Sequence, residues 1–436
     1  MGPRADNGRF FSVAGLFALT DLQTQGVTSR SARMTSALGV TAQLVSSVTN
    51  FVAMLLTAKA GSTSDFGTVA VAFSLYLIVL AIERSVVAEP LLIRHQLDTG
   101  QFRSRVASWA ALTLSIPAAA VVAGIGLLAG SDALAPIVVL ASCLPLLIWQ
   151  DVQRFQQLAM RRPERVIAYD GAWLLVFLAG YVALGGGSHG PHAVWAMWCA
   201  SGAVVGLGLL CRHPLPTRFR EGATWLKRHR DLSFPLLADS ATAAITGNVA
   251  MVLLVTLSGK SATGTVRAAT SLFGVLTVMY LGLYSALIGF AQRSQEARRR
   301  VEIWSTAVIE LAAISITVIL FALPDRLGTF LLGETWLPVH ALLPYYGFAT
   351  AMSVASTGAQ ISLRSQERSP AILRARLISS PVALGLPLVG AAIDDARGFC
   401  LGLGLASALT AGLLWRSTRR SPSGLCRGAV ANRRHG

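Results

Sequence analysis

The stretch AIERSVVAEP, residues 81 to 90, sets Glu83, Arg84 and Glu89 inside a run whose flanks, GTVAVAFSLYLIVL and LLI, are almost wholly apolar. Ionisable side chains in such a setting bind protons, attract a charged solute or pair with one another across helices. Neighbours in sequence do not face each other on a helix, and residues five apart differ by about 140° around the axis. No pairing within the segment neutralises all three, so partners must come from other segments or from water. At about 1.5 Å per residue, Glu83 lies roughly 24 Å along the helix from Gly67. Pro90 lacks a backbone donor and disfavours helix at Glu89, which predicts a kink there.

Other polar groups interrupt apolar runs in the same way. The segment WQDVQRFQQLAM places Asp151 and Arg154 three residues apart on one helix face, an expected ion pair that could line a central cavity. Gln156 and Gln157, further along, are expected to emerge into the cytoplasm. Asp170 in VIAYDGAWLLVF, Asp239 in FPLLADSATAAI and Glu310 in AVIELAAISI are single acids. Glu310 stands near mid-membrane and is the lone acid best placed to titrate, whereas Asp170 and Asp239 are near enough to the cytoplasm to snorkel. Arg267, one turn from the opposite end of its run, is expected to snorkel as well. Asn50 and Asn248 occupy matched places in two related halves and suit an interhelical hydrogen bond. Arg84, Arg154, Asp151, Asn50 and Asn248 are thus the candidate cavity residues, and Glu83, Glu89, Glu310, Asp170 and Asp239 the candidate ion-coupling acids. For each charge the competing reading is a purely structural ion pair.

The elements that carry these residues follow from composition. Of 436 residues 53% are hydrophobic and only 13% charged, a polytopic membrane composition. Apolar runs long enough to cross about 30 Å of hydrocarbon recur along the chain. They fall near 36–58, 67–93, 106–129, 135–158, 166–186, 193–211, 233–257, 263–290, 301–322, 337–363, 377–393 and 398–415, an all-α arrangement of about 12 transmembrane helices. The net charge of +16 does not point to nucleic acid. Nearly all Lys and Arg fall in the tails and in alternate connections, against Lys59, Lys260, Arg326 and Arg397 in the others. That bias places both ends in the cytoplasm. The five cysteines show no paired spacing, so neither a disulfide framework nor a metal site is expected, and no motif calls for a cofactor.

Two halves are related. NFVAMLLTAKAG from Asn50 matches NVAMVLLVTLSG from Asn248, and GTVAVAFSL from Gly67 matches GTVRAATSL from Gly264. Further on, QLAMRRPER from Gln157 matches QISLRSQER from Gln360. Six spans per repeat is an even number, so the halves are parallel repeats related by an axis along the membrane normal. The expected divisions are a cytoplasmic leader (1–33), an N-terminal six-helix lobe (34–211), a basic linker (212–232), a C-terminal six-helix lobe (233–416) and a basic tail (417–436). The leader contains a short apolar stretch, FFSVAGLFALT, that could instead be a poor signal peptide or lie along the membrane surface.

The opening TAQLVSSVTNFVAMLLTAKAGSTSDFGTVAVAFSLYLI resembles the first two helices of polysaccharide-export flippases of the Wzx type, within the multidrug/oligosaccharidyl-lipid/polysaccharide superfamily. WQDVQRFQQLAMRRPERVIAYDGAW is similar to the connection between their fourth and fifth helices, and the resemblance extends over residues 34 to about 416. It implies two lobes around a central cavity, opening alternately to each side to move a lipid-diphosphate-linked oligosaccharide across the cytoplasmic membrane. On that implication Arg84 and Arg154 attract the diphosphate, Glu83, Asp151 or Glu310 supply counter-charge or proton coupling, and the partners are the lipid-linked glycan, membrane lipid and polysaccharide-biosynthesis proteins, the chain itself acting as a monomer. The deep acids outnumber the bases, which keeps a cation-coupled drug exporter of the same superfamily open. A membrane-embedded glycan polymerase or ligase would need a substantial outer loop, and the outer connections are short. A major-facilitator transporter would carry G-x-x-x-D-R, absent from IRHQLDTGQFRSR.

Overall fold

In the computed structural model the chain is all-helical, and the structure describes residues 29–94, 101–128, 130–160, 162–186, 188–212, 220–238, 242–276, 279–280, 287, 291, 294–366 and 368–419. The N-terminal half contains α1 (Ser29–Lys59), α2 (Thr63–Glu83), a π-helical turn (Arg84–Ala88), α3 (Glu89–Arg94), α4 (Gln101–Leu128), α5 (Ser131–Ala159), α6 (Pro163–Ala183) and α7 (Gly190–Arg212). After α8 (Arg220–Leu236), the second half contains α9 (Thr242–Leu272), α10 (Gln295–Phe321), α11 (Asp325–Leu332), a 3₁₀ turn (Gly333–Thr335), α12 (Trp336–Val354), α13 (Thr357–Ser365) and α14 (Ser369–Arg419). Two of these are each a pair of helices. α9 breaks at Gly259, whose φ of 80° favours glycine, and the 51-residue α14 breaks at Asp394 and Asp395. Unbroken, α14 would be about 77 Å long, more than twice the hydrocarbon thickness.

Among the described residues eight helices are long and apolar enough to cross a membrane. Their outward faces carry the residues that lipid requires: Leu128, Leu175, Val182, Leu311 and Val318 are all exposed. Helix starts follow local chemistry. The Ser62 hydroxyl accepts a hydrogen bond from the Asp65 amide at 3.2 Å and donates to the Asp65 carboxylate at 2.8 Å, capping α2. Pro163 opens α6, where its missing N–H is no loss.

Helix α1 begins at Ser29, inside the stretch expected as leader, and residues 1–28 lie outside the described residues. The tenth span is not continuous, since Ala355 and Ser356 turn between α12 and α13. The tail beyond Arg419, with Cys426, also lies outside the described residues.

The lobes meet where the connections after α1, at Gly259 and after α10 gather. Here α2 crosses the second segment of α9 with backbone against backbone. A Cβ on Gly67 would stand 1.8 Å from the Lys260 carbonyl oxygen, and one on Gly264 would stand 2.2 Å from that of Thr63. Residues 63 and 67 correspond to 260 and 264 in the repeat, so the two contacts are one contact seen twice about the pseudo-twofold axis. Around it, the Thr335 hydroxyl donates to the Ala58 carbonyl at 3.1 Å and the Lys59 ammonium lies 4.3 Å from the centre of the Phe330 ring.

Overpacking a site that has no slack costs about 1–3 kcal/mol. Gly67→Ala and Gly264→Ala should therefore each lower the thermal unfolding midpoint of the purified protein. Gly171→Ala, where nothing lies within 4 Å of an added Cβ, should leave the midpoint unchanged or raise it.

Candidate functional site

The charge-bearing stretch begins with the proline. An α-helix would have the residue-90 amide donate to the Val86 carbonyl, and Pro90 has no hydrogen to give. The Ser233 hydroxyl of α8 donates to that carbonyl instead, at 2.9 Å. The turn before the proline widens to π geometry, with the Glu89 amide donating to the Arg84 carbonyl. The expected irregularity before Pro90 takes the form of this π turn, and nothing in the sequence signalled that α8 would supply the missing donor.

Arg84, at the start of that turn, reaches α5. Its Nε donates to Asp151 Oδ2 at 2.8 Å and its Nη2 to Asp151 Oδ1 at 2.7 Å, a two-pronged pair of the strong kind. Arg154 Nη1 donates to Asp151 Oδ1 at 2.8 Å, completing the expected pair three residues apart. Arg154 Nε then meets both oxygens of Asp170, at 2.9 and 3.0 Å. The result is an alternating chain, Arg84–Asp151–Arg154–Asp170, that joins α2, α5 and α6 and sums to zero formal charge. Three members are sealed, but the Arg84 side chain is 36% exposed and forms the open edge. Phe155 packs beside its guanidinium, 5.5 Å from the ring centre.

Asp170 does not snorkel. The connection between α5 and α6 is three residues long, so Asp170, two turns up α6, is carried back beside Arg154 on α5. Gln156 and Gln157 do not emerge either, because α5 runs unbroken to Ala159 with that face against α4. Gln153 and Gln156 both donate to the Ser108 hydroxyl of α4, at 3.2 and 2.5 Å. Glu83 was expected to find a partner on another helix or in water; its side chain is buried near Arg84 and Asp151, and among the described residues neither carboxylate oxygen meets a partner in hydrogen-bond geometry. Glu89 is half-buried at the head of α3, and Glu310 is half-buried on α10, apart from the charged chain. Asn50 on α1 and Asn248 on α9 are half-buried and also outside it. Asp239 lies outside the described residues.

Arg267 departs furthest from expectation. It does not reach for the membrane surface but turns into the junction of the lobes, 6% exposed. Its guanidinium lies 4.2 Å from the centre of the Phe73 ring on α2, and its Nε has no hydrogen-bond partner among the described residues. Phe73 in turn belongs to an aromatic group in the N-terminal lobe, where Trp195 and Trp198 stack at 5.0 Å and Tyr76 meets Trp198 edge-on at 5.5 Å. The signal was available: the repeat aligns Arg267 with Ala70, a position buried in the α2 core.

No family model and no curated protein matches the chain. Solved structures do. Over 88% of this chain and 97% of the other, the chain superposes with a TM-score of 0.66 and 11% identity on an inward-facing multidrug resistance MATE family transporter of the MOP superfamily. The fold is that of the MATE transporters. The eukaryotic MATE transporter AtDTX14 gives 0.60 at 14% identity, over 89% of this chain and 96% of its own. An outward-facing MATE family transporter gives 0.54 at 11% identity, over 88% of this chain and 93% of its own. At these identities the likeness concerns the fold alone, and the two-lobe MATE-like architecture agrees with the expected all-α, two-lobe class.

Removing one partner of a buried ion pair costs about 3–5 kcal/mol because it leaves the other charge bare. Asp151→Ala leaves Arg84 without its acid and Arg154 with Asp170 alone, and should destabilise the protein by that amount, whereas Arg84→Ala leaves Asp151 paired with Arg154 and should cost less. Thermal unfolding of both variants in one detergent checks the order. For Arg267 and Phe73, a double-mutant cycle of Arg267→Met and Phe73→Leu should give a coupling of roughly 0.5–2 kcal/mol.

Proposed function

We propose that the protein is an alternating-access transporter that flips a lipid-diphosphate-linked oligosaccharide across the cytoplasmic membrane for surface polysaccharide synthesis. The observation that carries this reading is Arg267, a buried cation at the junction of the lobes with no acid paired to it among the described residues. A cation left unpaired there suits a substrate that brings its own negative charge. Arg84 supports the same reading from the N-terminal lobe, since its exposed edge leaves Nη1 outside the two-pronged pair with Asp151. Arg154, held by Asp151 and Asp170 at once, is assigned a positioning role and not substrate contact. Asn50 and Asn248 remain candidates for neutral sugar contacts on matched helices.

In this proposal residues 34–211 and 233–416 are the moving lobes, 212–232 is the cytoplasmic linker and both termini are cytoplasmic. The chain works as a monomer in the cytoplasmic membrane beside polysaccharide-biosynthesis proteins. It is a carrier and not an enzyme, since the outer connections offer little loop on which to mount catalytic groups.

A second reading, export of cationic drugs coupled to an ion, is favoured by the multidrug resistance transporters among the structural neighbours. Deletion of the gene decides between them. The flippase reading expects loss of surface polysaccharide, restored by the wild-type gene. Arg267→Ala should restore it roughly tenfold less well, the loss of one charge-assisted contact of at least about 1.5 kcal/mol. Intact polysaccharide with raised sensitivity to cationic drugs would instead establish the second reading.

A further inference from the structure

Helix α8 sorts its residues onto two faces. Gly222, Trp225, His229 and Ser233 are buried and fall within about 80° of arc at the helical spacing of roughly 100° per residue. A Cβ on Gly222 would stand 2.7 Å from the Trp109 carbonyl carbon, so this face lies on α4 without a gap. Trp225 stacks on His229 with ring centres 4.1 Å apart, and the Ser233 hydroxyl holds the Val86 carbonyl of the π turn.

The opposite face carries Arg220, Lys227, Arg228 and Arg230, all exposed. Among the described residues none of the four meets an acid as an ion pair. The helix contains two acids, Glu221 and Asp231, and Glu221 is half-buried at the margin of the two faces. Exposed bases alone would be a solvated surface on the positively charged side of the membrane. Phe234 makes this face different. It is 74% exposed, stands two turns beyond Lys227, and lies within about 20° of it around the axis. Water gains nothing from a bare phenyl ring, whereas the boundary between headgroups and acyl chains accepts a ring and cations together on one helix face. The neighbours of α8 in the chain, α7 ending at Arg212 and α9 starting at Thr242, both span the membrane, which keeps α8 close to that boundary.

We propose that the outer face of α8 binds the headgroups of anionic phospholipids. The guanidinium and ammonium groups take phosphate oxygens, and Phe234 enters the headgroup boundary beside them. Engagement of the outer face holds the inner face on α4 and on the π turn. Through Ser233 and Val86 the lipid then bears on the turn that begins at Arg84, which couples membrane charge to the geometry of the ionic chain. The site is apart from the residues assigned to the transported substrate, and the inference does not rest on the flippase reading.

The full-length protein in nanodiscs tests it, with phosphatidylglycerol as the probe. The thermal unfolding midpoint should be higher in an equal mixture of phosphatidylglycerol and phosphatidylcholine than in phosphatidylcholine alone, and the difference should fade as salt is added. Backbone amides of 223–230 should exchange with deuterium more slowly in the mixture. Arg220→Gln, Lys227→Gln, Arg228→Gln and Arg230→Gln combined should erase both differences, while unfolding with the wild type in phosphatidylcholine alone. Arg220→Lys, Arg228→Lys and Arg230→Lys combined keep the charge and should preserve both. In detergent, Lys227→Gln alone should bind dansyl-labelled phosphatidylglycerol roughly fivefold more weakly than the wild type. Equal midpoints and equal exchange of the wild type in the two bilayers, or differences that persist in the glutamine variant, overturn the proposal. Slowing of exchange in phosphatidylcholine discs by soluble glycerol phosphate or polyglutamate overturns it too, since the face would then serve free anions or an acidic protein. None of these readings involves transport, so failure here is distinct from failure of the flippase reading.

Discussion

Hydrocarbon offers no water to a buried charge, and the architecture of the N-terminal lobe is organised around that constraint. Arg84, Asp151, Arg154 and Asp170 answer it by alternating in sign across three helices, each acid shared with or held by an arginine at 2.7 to 3.0 Å. Such a chain constrains more than it stabilises, since apolar residues of the same volume could pack as well. It fixes which faces of α2, α5 and α6 turn inward, and it leaves one guanidinium edge exposed. Everything else in the site is defined by its relation to this chain, either as a member or, for Glu83 and Arg267, as a charge standing outside it.

The backbone obeys the same rule. Pro90 frees a carbonyl that lipid cannot satisfy, and Ser233 satisfies it from the segment that joins the lobes. The π turn beside the charges is thereby bonded to α8, so helix 84–94 and α8 form one polar unit at that end of the bundle. At the opposite end the lobes are held by close backbone packing at Gly67 and Gly264 and by a cation resting on an aromatic face.

Much of this was legible in the sequence, for identifiable reasons. Hydropathy marked the spans because lipid imposes both length and composition on them. The repeat was visible in GTVAVAFSL and GTVRAATSL because the crossing tolerates nothing larger than glycine at Gly67 and Gly264, so the fold keeps what the contact needs. The pair Asp151–Arg154 followed from helical spacing. What spacing could not give was contact between helices: that Asp170 would come back to Arg154, that Gln156 would meet Ser108, or that Arg267 would turn inward. Glu83 was picked out by its cost in lipid, but its isolation is a property of packing and is invisible to any pattern along one chain.

The break between α12 and α13 carries a consequence of another kind. Aligned at the offset that joins Gln157 to Gln360, residues 355 and 356 correspond to 152 and 153, between Asp151 and Arg154. Where the first copy runs straight and carries ions, the second bends, and Val354, Thr357 and Leu373 stand in the places of Asp151, Arg154 and Asp170. The two repeats thus differ in kind, one carrying charge on an unbroken helix and one carrying a joint in its place. Exchanging the copies would conserve the silhouette of the molecule and scramble its division of labour.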